Sequence, residues 1–230
     1  MHDGRIALSA LLVTLVATMA TAQALKPCDL MEMLDSKDPA VAQRGVDGFM
    51  KMGANGAVPL VCFLAGKAPN VPRPGEAAKR RAEATLVKLG AASVPAAVQY
   101  LPGGDEELRT RLVRVLAQIK DGRRDTPLLK LWESEKSDRV RSALVAALVS
   151  IDRTKALGLL RQRVASALPR ELQAIAAQLA LHGTAADLTR VLAQVSIAKR
   201  PAFIAEAIAQ VKAMGGAAAD RAIRRLKDLL

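Results

Sequence analysis

Apolar residues return along this chain at helical spacing, and the whole pattern returns again after a fixed interval. From Val140 the apolar positions are Val140, Leu144, Ala147, Leu148 and Ile151. Offsets of 0, 4, 7, 8 and 11 line one face of an α-helix. The same face one interval earlier reads Leu108, Leu112, Val115, Leu116 and Ile119. One interval later it reads Glu171, Ile175, Gln178, Leu179 and His182, degraded but in register. The last-turn position runs through Met52, Leu89, Ile119, Ile151, His182 and Met214, with gaps of 37, 30, 32, 31 and 32. Three residues earlier stand Phe49, Leu86, Leu116, Leu148, Leu179 and Val211. Four before those stand Gly45, Ala82, Leu112, Leu144, Ile175 and Ala207.

Each ladder ends at a break. Gly53, Gly90, Gly183 and Gly215 suit the left-handed position after a helix, and Asp121-Gly122 and Asp152 fill the same slot in the other two units. A shorter apolar segment follows each break, at 57–66, 93–101, 125–134, 155–166, 186–196 and 217–229. Pro59, Pro95 and Pro127 near three of these starts sit where a missing N–H costs least. Asp38-Pro39 caps and opens the first long helix, and Pro169 and Pro201 open the fifth and sixth. Asp105-Glu106-Glu107 places three acids where the third helix's dipole favours them. Residues 67–75 hold three prolines and predict an extended insert between units one and two. The prediction is six pairs, each a long helix, a tight turn and a second helix, behind a leading helix from Cys28 to Leu34. Neither helix of a pair can bury its apolar face alone, so neighbouring pairs must share one core.

Composition agrees with helices and with little else. Apolar types make up 51% of the 230 residues but aromatics only 2%, which disfavours an all-β domain. So much apolar surface also argues against disorder. Residues 1–24 predict an export signal: Arg5, an apolar run from Ile6 to Met19, then Ala22-Gln23-Ala24 as a small-x-small cleavage site before Leu25. The run is shorter than the roughly 20 residues of a spanning helix, so no transmembrane span is expected after cleavage. Lys26-Pro27 ahead of Cys28 does not suit lipid attachment.

The segment from Asp138-Arg139-Val140-Arg141-Ser142-Ala143-Leu144 to Ile151 resembles the HEAT-like repeat family, in its short bacterial and phycobilin-lyase form. Asp38 to Gly53, which lacks the usual Arg, and Glu106 to Ile119 carry the same resemblance. Tetratricopeptide repeats fit less well: their period is longer, and their aromatic positions are vacant here. The resemblance covers roughly 28–230 and implies an all-α, right-handed α-solenoid of about six HEAT-like hairpins spanning 25–230. It also implies a binding surface, often the one lined by second helices, and leaves the partner open.

Candidate chemistry is sparse. Beyond the signal the only histidine is His182, so a His-rich metal site and the His-Glu iron motifs of hydroxylase relatives are excluded. His182, just before Gly183, suits contact with helix-end carbonyls better than catalysis. Gly66-Lys67 is no phosphate loop, because Val61 stands where glycine is required. Neither a catalytic residue nor a cofactor is predicted. Cys28 and Cys62 suggest a disulfide in an exported chain, worth roughly 3–4 kcal/mol by loop closure. Two buried thiols are the alternative.

Charge is the one suggestive feature. With 34 Lys and Arg against 22 Asp and Glu, the net charge is +12. Lys130, Arg161, Arg163, Arg190, Arg221, Arg224 and Arg225 fall on predicted second helices, and Lys130 and Arg161 lie one repeat apart. They form a candidate surface for an anionic partner, with an ordinary solvated helix face as the plainer reading. The expected function is that of an exported, non-enzymatic scaffold binding a protein partner with an acidic surface in the cell envelope, periplasmic or secreted. A nucleic-acid-binding alternative rests on HEAT-like DNA glycosylases, which flank a catalytic Asp with aromatics. Here only Trp132 and Asp125 come near that pattern, and export argues against it. A chaperone for a chromophore is a third reading, weakened by the scarcity of aromatics.

Overall fold

A computed structural model describes residues 25–71 and 73–229. The predicted export signal lies outside them. The described residues are helical, with no strand among them. The leading helix is α1 (Pro27–Asp35). The long first helices are α2 (Pro39–Met52), α4 (Glu76–Leu89), α6 (Glu106–Gln118), α8 (Asp138–Ile151), α10 (Pro169–His182) and α12 (Arg200–Met214). The second helices are α3 (Ala57–Leu64), α5 (Val94–Tyr100), α7 (Asp125–Ser134), α9 (Arg153–Arg163), α11 (Ala185–Leu192) and α13 (Ala217–Lys227).

The first helices pack in chain order: α2 on α4, α4 on α6, α6 on α8, α8 on α10 and α10 on α12. Second helices bridge this row, as α3 does against α4 and α7 against α8. The central ladder supplies the contact, since Phe49, Leu86, Leu116, Leu148, Leu179 and Val211 are all buried. They belong to one apolar core reaching from Leu30 to Leu226.

Local chemistry sets the helix ends. Asp38 Oδ1 accepts from the Ala40 N–H at 2.8 Å, and Asp105 Oδ1 accepts from the Leu108 N–H at 2.8 Å. Gly53, Gly90 and Gly215 take φ of 57°, 59° and 68°, as their slots predict. Gly183 departs from that expectation, with φ of −93°. Thr184 there already caps α11, so no left-handed residue separates the helices. Asp121 and Asp152 are also extended, and their side chains cap the following helical turns.

Gly45 has a different task. A Cβ there would stand 3.0 Å from Leu30 O, Leu34 N and Met33 Cβ. The missing side chain lets α1 lie directly on α2. Gly45→Leu is expected to lower stability by about 1–3 kcal/mol through overpacking. Urea denaturation checks this, and an unchanged midpoint would mean that α1 docks without close contact. The Pro-rich insert is also more integrated than an extended loop. Ala68 and Val71 are buried, and the Gly75 N–H donates to Asp35 Oδ1 at 3.0 Å.

Candidate functional site

Much of the positive charge on the packed helices is held within the chain. On α9, Arg161 forms a two-pronged pair with Asp187 of α11, both distances 2.9 Å. Hydrogen bonds from Arg161 hold the Asp187 carboxyl far below its ordinary range; burial opposes this, and bonds from Thr184 reinforce it. Arg163 donates to the buried Glu171 at 2.9 Å. Arg225 of α13 donates to Ala180 O and Gly183 O, both at 3.2 Å, at the end of α10. These three residues, expected on an open basic surface, are therefore engaged by carboxylates and carbonyls of the chain itself. Lys130, Arg190, Arg221 and Arg224 are exposed without a side-chain acid or carbonyl partner among the described residues. Lys130 and Arg161 thus do not form a ladder of free cations.

Arginines also close helix ends. Arg81 donates to Leu34 O at 2.8 Å and Ser36 O at 3.1 Å, tying α4 to the end of α1. The buried Arg124 reaches Leu116 O and Ala117 O of α6 and Ser150 O of α8. Helix C-termini carry unpaired carbonyls and partial negative charge, which a guanidinium satisfies. At the end of α10 it is Arg225 that does this. His182 makes no such bond there; it is half-buried, and burial, then the nearby Arg153, lowers its pKa.

On the first helices the acids meet cations of the neighbouring unit. Arg111 of α6 binds Glu83 and Glu76 of α4 and Glu107 of its own helix. Burial disfavours the Arg111 charge, but these three carboxylates more than offset that and raise its pKa. Lys79 reaches Glu107 at 2.7 Å. Asp138 faces backbone instead, accepting from the N–H groups of Arg170 and Glu171 at 2.9 and 2.7 Å.

Several arginines stay out of this pairing, and three of them stand together. Arg114 of α6, Arg139 of α8 and Arg170 of α10 are exposed, with no side-chain hydrogen bond or ion pair among the described residues. They border one groove of about 520 Å³ along the first helices. Its floor is α8, where Ser142, Ala143 and Ala146 follow Arg139 at helical spacing. The repeat register explains the depression. Arg114 and Ala146 hold equivalent positions in successive units, so a long side chain on α6 is followed by a methyl group on α8. Glu83 also lines the groove, but Arg111 holds its carboxylate.

The same ladder arithmetic that finds the core places Arg139 and Arg170 side by side, one repeat apart. That signal is present in the sequence. The resemblance directs attention to the second helices instead, where Arg161, Arg163 and Arg225 are engaged.

The remaining candidates are placed as follows. Cys28 and Cys62 are both free thiols, so the structure does not contain the expected bridge. The Cys62 thiol lies 3.6 Å from the Tyr100 hydroxyl of α5 instead. Trp132 is buried under the Arg141 guanidinium, 5.0 Å from its ring centroid, and is not presented to a base. Asp125 sits beside Arg124 at 3.5 Å. No group of three metal-ligating side chains gathers among the described residues. No described helix is long and apolar enough to cross a membrane. The chain matches no protein-family model, no curated protein and no solved structure.

Proposed function

We propose that this protein is an exported, non-enzymatic scaffold that binds a protein partner with an acidic surface in the cell envelope. Its architecture on this reading is a right-handed α-solenoid of six HEAT-like hairpins. The recurring apolar ladder and the row of first helices in chain order support that architecture. Residues 1–24 support export. The observation that carries the binding role is the groove bordered by Arg114, Arg139 and Arg170, three cations with no acid assigned to them among the described residues. A groove in which cations outnumber acids raises the local concentration of an oppositely charged partner and speeds its capture.

Gentle cross-linking in fractionated native cells tests this. The expected result is a mature chain beginning at Leu25 in the envelope fraction, joined to one partner protein. A cytosolic, full-length chain with no cross-linked partner overturns the reading.

A further inference from the structure

We infer that the groove over α8 receives an acidic α-helix of the partner, its carboxylates meeting Arg114 on the α6 side, Arg170 on the α10 side and Arg139 at the start of α8. The inference rests on the scaffold reading and adds the shape and chemistry of what is bound.

Three features select a helix. The protein offers no sheet edge among its described residues, so a partner strand has no ladder to extend. The groove runs between helices, and its floor is Ser142, Ala143 and Ala146, small side chains that let another helix come close. Helices docked in grooves are held by residues spaced three or four apart, which presents one face.

Charge selects the sign. Among the acids along this part of the row, Glu83 pairs with Arg111 and Glu107 with Lys79 and Arg111, while Asp138 turns its carboxylate to the backbone N–H groups of Arg170 and Glu171 and keeps its charge beside them. The three guanidinium groups line the groove with no acid hydrogen-bonded to them among the described residues, as planar donors suited to two-pronged carboxylate binding. Arg139 and Arg170 occupy the second position of adjacent packed helices, about one interhelical distance of 8–10 Å apart. Carboxylates one to two turns apart on a helix stand about 5–11 Å apart, which brackets that gap.

The probe is a fluorescein-labelled Ala-based helical peptide carrying Glu at every fourth position, with a Lys version as control. Anisotropy against the full mature chain should show binding of the Glu peptide only, weakening as salt rises. R114E/R139E/R170E should lose at least about tenfold in affinity. R114Q/R139Q/R170Q should lose nearly as much, and it keeps the test decisive if the reversed charges disturb folding. R190E/R221E/R224E, on the second helices, should bind as the parent does.

Loss of binding in that last variant alone would overturn the groove assignment. So would duplex DNA or phosphatidylglycerol vesicles binding through the three arginines while the peptide does not. The two readings fail separately. An envelope partner captured equally well by R114E/R139E/R170E removes the groove and leaves the scaffold. Peptide binding with no envelope partner keeps the groove and removes the scaffold.

Discussion

Replacing Glu171 with alanine is expected to lower the unfolding free energy by about 3–5 kcal/mol, the cost of leaving a buried charge without its partner. Glu171 is fully buried near the start of α10. One carboxylate oxygen accepts from Arg163 at 2.9 Å and lies 3.0 Å from Arg141 Nε. The other accepts from the Leu168 N–H at 3.2 Å. Arg141 is itself only 7% exposed, covers Trp132 and donates to Glu135 O. Without Glu171 its guanidinium stays buried with no opposing charge. Arg163 loses less, because it is more exposed and can turn to water.

Urea denaturation followed by tryptophan fluorescence measures this directly, because Trp132 is the only tryptophan and lies under Arg141. Far-UV circular dichroism should give the same midpoint if the loss is global. Glu171→Gln should cost less, since its amide oxygen can still accept one bond. The pair R141M/E171L should recover much of the loss, because apolar replacement of a whole buried pair is often neutral or better. A cost below about 1 kcal/mol for Glu171→Ala would mean that water reaches the site and the pair behaves as an exposed one.

This network shows where sequence reading stops. Glu171 occupies a ladder slot that is apolar in the two preceding units, held there by Val140 and Leu108. From the sequence alone it is a flaw in the repeat. In the structure the slot is still buried, and Arg141 and Arg163 make its charge tolerable. The core itself is legible because helical burial is periodic in one dimension. A position such as Leu148 needs only its own helix and the repeat length to be found. Helix starts are legible because caps act locally: Asp38 and Asp105 bond N–H groups two and three residues on.

Pairings between units are of another kind. Arg161 and Asp187 are 26 residues apart, and Arg111 and Glu76 are 35 apart. Composition shows that such charges exist, and only packing shows which of them meet. The second-helix arginines therefore look free in sequence, although Arg161 and Arg225 are joints between units and Arg163 is tied to Glu171. The groove lies between these extremes. Its arginines follow from register, as Arg139 and Arg170 do, but that no acid hydrogen-bonds their guanidinium groups depends on packing, which gives Glu83 to Arg111 and turns Asp138 to backbone N–H groups.

Arg123 and Arg124 bring the same distinction to a single measurement. They are neighbours of the same type, yet Arg124→Ala is expected to cost about 3 kcal/mol and Arg123→Ala far less. Arg124 is buried and gives hydrogen bonds to Leu116 O, Ala117 O and Ser150 O. It thereby closes the ends of α6 and α8 together, at the seam between units three and four. Removing it strands the buried Leu116 O, worth about 1–3 kcal/mol when left unsatisfied, and frees the part-buried Ala117 O and Ser150 O, where water gives partial relief. Arg123 has its side chain 58% exposed and pairs with Asp121, whose pKa it lowers to about 2 through side-chain and backbone hydrogen bonds. It also donates to Ala91 O at 2.7 Å, but in open solvent water can replace that bond. Urea midpoints of the two alanine variants, read on Trp132, decide the matter. Equal losses would mean that burial does not govern these caps, and that the seam between α6 and α8 is held by the apolar ladder alone.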